Sequence, residues 1–266
     1  MGLGCGAVDW SNRNMTTLRI EQRGTPGLRS VVLIHGCPSS PASMWNVGNA
    51  LLDVAHVTNV HLPGYEGSPS LLPYDEDQAL SAIENTLLGA GVVSPIVVGF
   101  SAGAARAFAL AKRGKLGVKG VVSLGGVAQL TEAHREATIT NAAVARDHSV
   151  DLARMFTPFF LSPRGMANEA WTKEVSTWFS VIDRDELATE FVAFARAPGI
   201  DLSDLNIPIL ARVGELDQAV PPAYSEDICK AAPKAELQIV PGVAHAIIVE
   251  DQEATNAAVR KFVLAV

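Results

Sequence analysis

The stretch that most constrains this chain is Pro95-Ile-Val-Val-Gly-Phe-Ser-Ala-Gly-Ala-Ala-Arg106. It opens with a short apolar, β-branched run that reads as a buried parallel strand. It then passes through Gly99-Phe100-Ser101-Ala102-Gly103 and continues through Leu110 in strong helix formers. Strand, G-x-S-x-G, helix describes a turn sharp enough to hold the serine in a strained backbone conformation. A glycine on each side lets strand and helix pass closely. The Ser101 hydroxyl then projects above the sheet at a helix N-terminus, where N–H groups and the helix dipole favour a developing negative charge. The pentapeptide alone carries little, because Gly and Ser are common; its flanks make Ser101 the candidate nucleophile.

Around this stretch, apolar β-runs alternate with helix-length segments. Val8–Trp10 and Thr16–Gln22 read as two strands about a polar turn, with Leu18 and Ile20 alternating against Arg19 and Glu21 as at an antiparallel edge. Ser30–His35, His56–His61, Lys119–Gly125, Ile207–Val213 and Ala235–Val240 read as further strands, and helices are expected over Pro41–Asp53, Glu76–Leu88 and from Glu250 to the end. The pattern predicts an α/β fold: a mostly parallel, eight-stranded sheet with helices on both faces.

One segment breaks the alternation. Residues 128–205 contain no convincing β-run but have helical stretches at Glu132–Ala145 and Glu186–Ala197, and carry Met155, Phe156, Phe159, Phe160, Trp171, Trp178 and Phe179. So long a stretch without a strand should not be a loop. It is expected to be a helical cap laid over the C-terminal edge of the sheet, inserted into a core of residues 1–127 and 206–266. Most of its aromatics should pack its own small core, with a minority, Trp171 and Trp178 foremost, lining a substrate pocket.

Composition bounds the rest. Of 266 residues, 48% are apolar and 18% charged, enough for a large core and against disorder. No apolar run approaches the ~18 residues that span a bilayer, so no membrane partner is expected. A net charge of −7 offers no basic footprint for nucleic acid. Cys5, Cys37 and Cys229 have no metal-ligand spacing and leave one over, which suits a reduced cytoplasm. The start lacks a secretory pattern, and Gly6 breaks the myristoylation motif, so an ordinary tail and a cytoplasmic location are expected.

A serine nucleophile needs a base to take its proton and a carboxylate to orient that base. Gly214-Glu-Leu-Asp217-Gln-Ala-Val-Pro221 follows one expected strand, and Pro241-Gly-Val-Ala-His245 follows the last. Asp217 and His245 are therefore the candidate acid and base, with Glu215 the nearest substitute for the acid. His56 and His61 belong to a strand, and His134 and His148 lie in the insertion without metal-like spacing.

The order Ser101, Asp217, His245, together with HGCPSS, LPGYEGS, GFSAG, GELDQAVP and PGVAHAIIVED, resembles the α/β-hydrolase superfamily over nearly the whole chain. The resemblance implies that the His35-Gly36 turn helps build an oxyanion hole from the backbone N–H groups of Cys37 and Ala102. The Cys37 thiol is then packing, and His35 structural. The sequence departs from the D-x-P-G-x-G-x-S pattern of many relatives at His61-Leu-Pro-Gly-Tyr-Glu-Gly-Ser68, in a loop that shapes the site. Serine at the elbow, where epoxide- and halide-processing relatives carry aspartate, speaks against those chemistries. The implied activity is cleavage of an ester, lactone or thioester of a small hydrophobic acyl substrate, with no cofactor or metal. Acyl transfer or carbon–carbon cleavage by the same triad, and a non-catalytic small-molecule receptor on this fold, are the alternatives.

Overall fold

The computed structural model describes residues 16–266; the strand expected at Val8–Trp10 lies outside them. Seven strands among the described residues form one sheet: β1 (Ile20–Gly24), β2 (Arg29–Ile34), β3 (Ala55–Val60), β4 (Ile96–Phe100), β5 (Gly120–Leu124), β6 (Ile209–Gly214) and β7 (Ala235–Val240). Their order is β1-β3-β2-β4-β5-β6-β7. β1 runs antiparallel to β3 and the other pairings are parallel, in registers such as Val32 beside Val97 and Val98 beside Val122. β4, β5 and β6 are buried at every residue, as continuous apolar runs should be when helices cover both faces. β7, at the edge, has no fully buried residue.

Among the described residues, eleven α-helices follow the order α1 (Trp45–Gly48), α2 (Glu76–Gly89), α3 (Ala102–Arg113), α4 (Glu132–Arg146), α5 (Leu152–Phe160), α6 (Pro163–Met166), α7 (Glu169–Thr177), α8 (Arg184–Arg196), α9 (Pro222–Ala231), α10 (Ile247–Glu250) and α11 (Gln252–Ala265). Helices α4 to α8 make up the segment between β5 and β6. Each of these five begins at a side-chain N-cap: Thr131, Asp151, Ser162, Asn168 and Asp183 accept from backbone N–H groups of their first turns. Such a cap is worth ~1 kcal/mol. The segment is thus locally specified as a string of helices.

Two expectations shift. Pro41–Asp53 is not one helix but 3₁₀ turns at Ala42–Met44 and Asn49–Leu51 around the single turn of α1. Gly48 sits there against the Trp45 ring and Leu33, where a side chain would not fit. β1 begins at Ile20 rather than Thr16, because Leu18 N–H donates to Thr86 Oγ1 (2.9 Å) and Arg19 N–H to Ser68 Oγ (2.9 Å) instead of to a strand.

The topology places a crevice. From β2 the chain moves to β3 on one side, then returns to β4 on the other. The loops leaving the carboxyl ends of β2 and β4 therefore diverge, and open α/β sheets bind ligands at such a switch point. The residues following these two strands are His35–Ser40 and Ser101.

Candidate active site

Ser101 occupies the turn between β4 and α3 with φ 53° and ψ −124°, a region that costs a non-glycine residue ~1–3 kcal/mol. Its N–H continues the sheet ladder to Leu124 O (2.9 Å), and the next residue, Ala102, opens α3. The flanking glycines are needed for space: a Cβ on Gly99 would strike the backbone of Gly103 and Ala104, and one on Gly103 the carbonyls of Ile34 and His35. Strand, elbow and helix are thus locked, and the strain is held by the packed core on either side.

Asp217 and His245 come from loops after β6 and β7 and meet in the interior. His245 Nδ1 lies 2.7 Å from Asp217 Oδ2, with both side chains buried. Asp217 Oδ1 also accepts from Val220 N–H (2.7 Å), so the carboxylate is oriented from both sides. The shared bond leaves His245 Nε2 as the free ring nitrogen. The Phe100 ring, immediately before Ser101, lies 5.0 Å from the His245 ring between centroids, and Phe160 from the end of α5 meets it edge-on at 5.0 Å. A Cβ on Gly125 would press on Asp217 Oδ2 and the His245 ring, and one on Gly126 would strike Ala104 and Ser123 Oγ. Ser101 Oγ makes no hydrogen bond among the described residues. Glu215 is exposed and accepts from Gly242 N–H (2.9 Å), bracing the loop without reaching His245.

The His35–Ser40 loop lies against the elbow, with Gly36 abutting the Ser101 Cβ. His35 is fully buried; its Nε2 accepts from Leu62 N–H (3.1 Å), which puts its proton on Nδ1 for donation to Gly36 O (2.9 Å). Burial pushes its pKa down to about 3. His35 is therefore a neutral strut. The backbone N–H groups of Cys37 and Ala102 donate to no acceptor among the described residues. Burial, then the Glu190 carboxylate, raises the half-buried Cys37 thiol well above its ordinary pKa, the opposite of what a thiolate nucleophile requires.

Behind this loop lies a buried charge cluster that sequence reasoning missed. Arg106 on α3 donates to both Glu76 oxygens (2.7 and 3.1 Å) and to Tyr74 Oη (3.2 Å), and reaches Glu190 of α8 at 2.8 Å. Tyr65 Oη donates to Glu190 Oε2 (2.8 Å). Burial raises the Glu190 pKa while Arg106 opposes the shift. Only a helical spacing that set Glu190 on the core face of α8, beside Leu187 and Phe191, could have signalled it.

Of the two tryptophans expected to line a pocket, one is enclosed in the core. Trp178 is completely buried, its Nε1–H donating to Ser43 Oγ (2.8 Å) and its ring edge-on to Phe100 (5.6 Å) and Phe160 (6.0 Å). Trp171 packs beneath the Arg164 guanidinium, 5.5 Å from the ring centroid. Phe160 is the aromatic of the insertion that reaches His245. Among the described residues, no three His, Cys, Asp or Glu side chains converge as metal ligands would, and no helix is long and apolar enough to cross a membrane.

Residues 31–258 match the model of the alpha/beta hydrolase family. A 2-succinyl-6-hydroxy-2,4-cyclohexadiene-1-carboxylate synthase of Escherichia coli O157:H7 is 32% identical over 116 residues, 44% of this chain and 46% of that protein. The match thus spans about half the length of the curated relative. The enol-lactonase of Burkholderia xenovorans LB400 superposes with TM-score 0.86 at 19% identity, covering 93% of this chain and 96% of that one. A thermophilic esterase of Thermogutta terrifontis gives TM-score 0.84 at 21% identity, covering 93% of each chain. At such identities the likeness is one of fold.

Proposed function

The chain belongs to the alpha/beta hydrolase family, and from that premise we propose that it is a serine hydrolase cleaving an ester, lactone or thioester of a small, uncharged, apolar substrate. The observation that carries the reading is the buried His245–Asp217 bond of 2.7 Å, with the His245 ring 5.0 Å from the ring of Phe100, the residue before a strained serine at a helix N-terminus. His245 Nε2 takes the Ser101 proton as Oγ attacks the carbonyl carbon, and Asp217 holds the proton on Nδ1 and stabilises the imidazolium. The oxyanion is met by the N–H groups of Cys37 and Ala102, each such donor being worth ~3 kcal/mol. Collapse transfers the proton to the leaving group and leaves acyl-Ser101. Water, activated by His245, then releases the acid and restores the serine.

Residues 128–205 act in this reading as a cap over a core of 1–127 and 206–266. The neutral substrate is supported by the aromatic surroundings of His245 and by the charge cluster: the guanidinium facing Cys37, Arg106, is already spent on two carboxylates. The partial match to a synthase whose named product is a carboxylate favours a second reading, in which the substrate carries a carboxylate rather than being uncharged.

A panel of esters, lactones and thioesters of varied chain length, assayed with wild type and Ser101→Ala, tests the proposal. Turnover should fall by roughly 10⁴ to 10⁶ in a variant that folds normally. Activity within tenfold of wild type would remove Ser101 from the role.

A further inference from the structure

Glu250 is a carboxylate inside the protein that the chemistry above does not use. It ends α10, five residues after His245, and is buried. Its two oxygens serve different parts of the fold. Oε2 accepts from Ala244 N–H at 2.9 Å, one residue before His245. Oε1 accepts from Ser162 N–H at 2.6 Å, at the junction of α5 and α6 in the inserted segment. A parallel bond lies beside it: Ala246 N–H, one residue after His245, donates to Phe160 O (2.8 Å) in that same junction. The backbone is therefore held on both sides of His245 by groups tied to the insertion. Gly165 of α6 lies directly against the Glu250 carboxylate, and a Cβ there would overlap Oε1. Arg164 donates to the Glu250 carbonyl (3.2 Å), closing the contact.

We propose that Glu250 is a positioning residue that couples the seating of the α5–α6 junction to the placement of the His245 imidazole. This rests on the reading of His245 as the general base. A carboxylate is required because both partners are N–H donors. An amide in its place offers one oxygen and turns an NH₂ group toward the other donor, so one buried N–H goes unmet. Phe160 adds the side-chain counterpart, since its ring touches the imidazole that its carbonyl helps to place. Lifting the junction would therefore displace the base, and an unseated insertion would leave Ser101 without an aligned proton acceptor.

The test reads the Ser101–His245 pair without a known substrate. Labelling by a fluorophosphonate probe is timed across pH in wild type, Ser101→Ala, Glu250→Gln and Gly165→Ala, with melting temperatures and the low-field His245 Nδ1–H proton resonance recorded alongside. Glu250→Gln should label about tenfold to hundredfold more slowly, as small misplacements of reacting groups do, and its low-field resonance should shift or broaden. Gly165→Ala, which pushes on the carboxylate from the side of the insertion, should do the same with Glu250 intact. Adding Glu250→Asp to Gly165→Ala withdraws the carboxylate from the new methyl, and recovery of labelling above the Gly165→Ala level is expected. Wild-type labelling rates and an unmoved resonance in folded Glu250→Gln and Gly165→Ala, with only the melting temperature lowered, would overturn the proposal and leave Glu250 a structural tie. If wild type itself is not labelled at Ser101, the acyl-enzyme reading fails and the proposal falls with it.

Discussion

At the scale of single residues, the site depends on which atoms are already engaged. Asp217 has both oxygens occupied, by His245 and by Val220 N–H. An amide in its place can hold the wrong imidazole tautomer, so Asp217→Asn should lower turnover by about 10³ to 10⁴. Glu215→Gln should leave it within a few-fold, because Glu215 spends itself on Gly242 N–H. Steady-state rates of the two variants in one assay check this, and the reverse ranking would move the acid two residues along the loop. Glu190 gives a pH signature. Its folded pKa is raised from an ordinary 4.5 by burial, with Arg106 opposing and Glu76 adding to the rise. A carboxyl raised in this way contributes stability that is full below its unfolded pKa and is lost as pH rises through the folded one. Urea midpoints of wild type should therefore fall relative to Glu190→Gln as pH climbs above about 4.5. Parallel curves from pH 4 to 8 would show that Glu190 titrates alike in both states.

At the scale of elements, the inserted helices are fastened to the core at several places, among them the Trp178–Ser43 bond and three side-chain ties. α8 is held by Glu190 to Arg106 and Tyr65; the α5–α6 junction by Glu250 and Phe160 O to the His245 loop; and the start of α4 by Tyr224 Oη of α9, which bonds His134 Nδ1 (3.0 Å) and Thr131. The aromatics divide by which contact they serve. Trp178→Ala should destabilise the protein by ~3–5 kcal/mol, the usual cost of emptying a fully buried aromatic site. Trp171→Ala, removing a ring that packs under Arg164, should leave the ranking of acyl groups unchanged. Phe160→Leu should change that ranking, because this ring touches His245. Chemical denaturation and the acyl panel together measure all three. The strands of the core were legible in the chain as apolar β-branched runs, and α2, α4 and α8 as periodic stretches with Thr or Asp just before them. Which aromatic reaches the base was not. Trp171, Trp178 and Phe160 share the same composition signal, and only the packing of α5, α7 and the 3₁₀ turn after α7 tells them apart.

At the scale of the whole molecule, three loops from strands far apart in sequence meet at the carboxyl end of one sheet. Motif order alone allowed Ser101, Asp217 and His245 to be named together, since each sits just past a strand. The buried carboxylates Glu190 and Glu250 were hidden from sequence reading for a physical reason. A lone acidic residue in an amphipathic helix reads as solvated, and only the fold supplies the guanidinium, hydroxyl or N–H groups that make its burial tolerable. The central claim is a covalent acyl-Ser101 intermediate, and the most direct measurement is rapid-quench mass spectrometry during turnover of an activated ester. Wild type should carry the acyl mass on the peptide containing Ser101, Ser101→Ala should carry none, and His245→Ala should neither acylate nor turn over appreciably. Acyl mass on Cys37, or turnover by Ser101→Ala at the wild-type rate with no adduct in either protein, would contradict it.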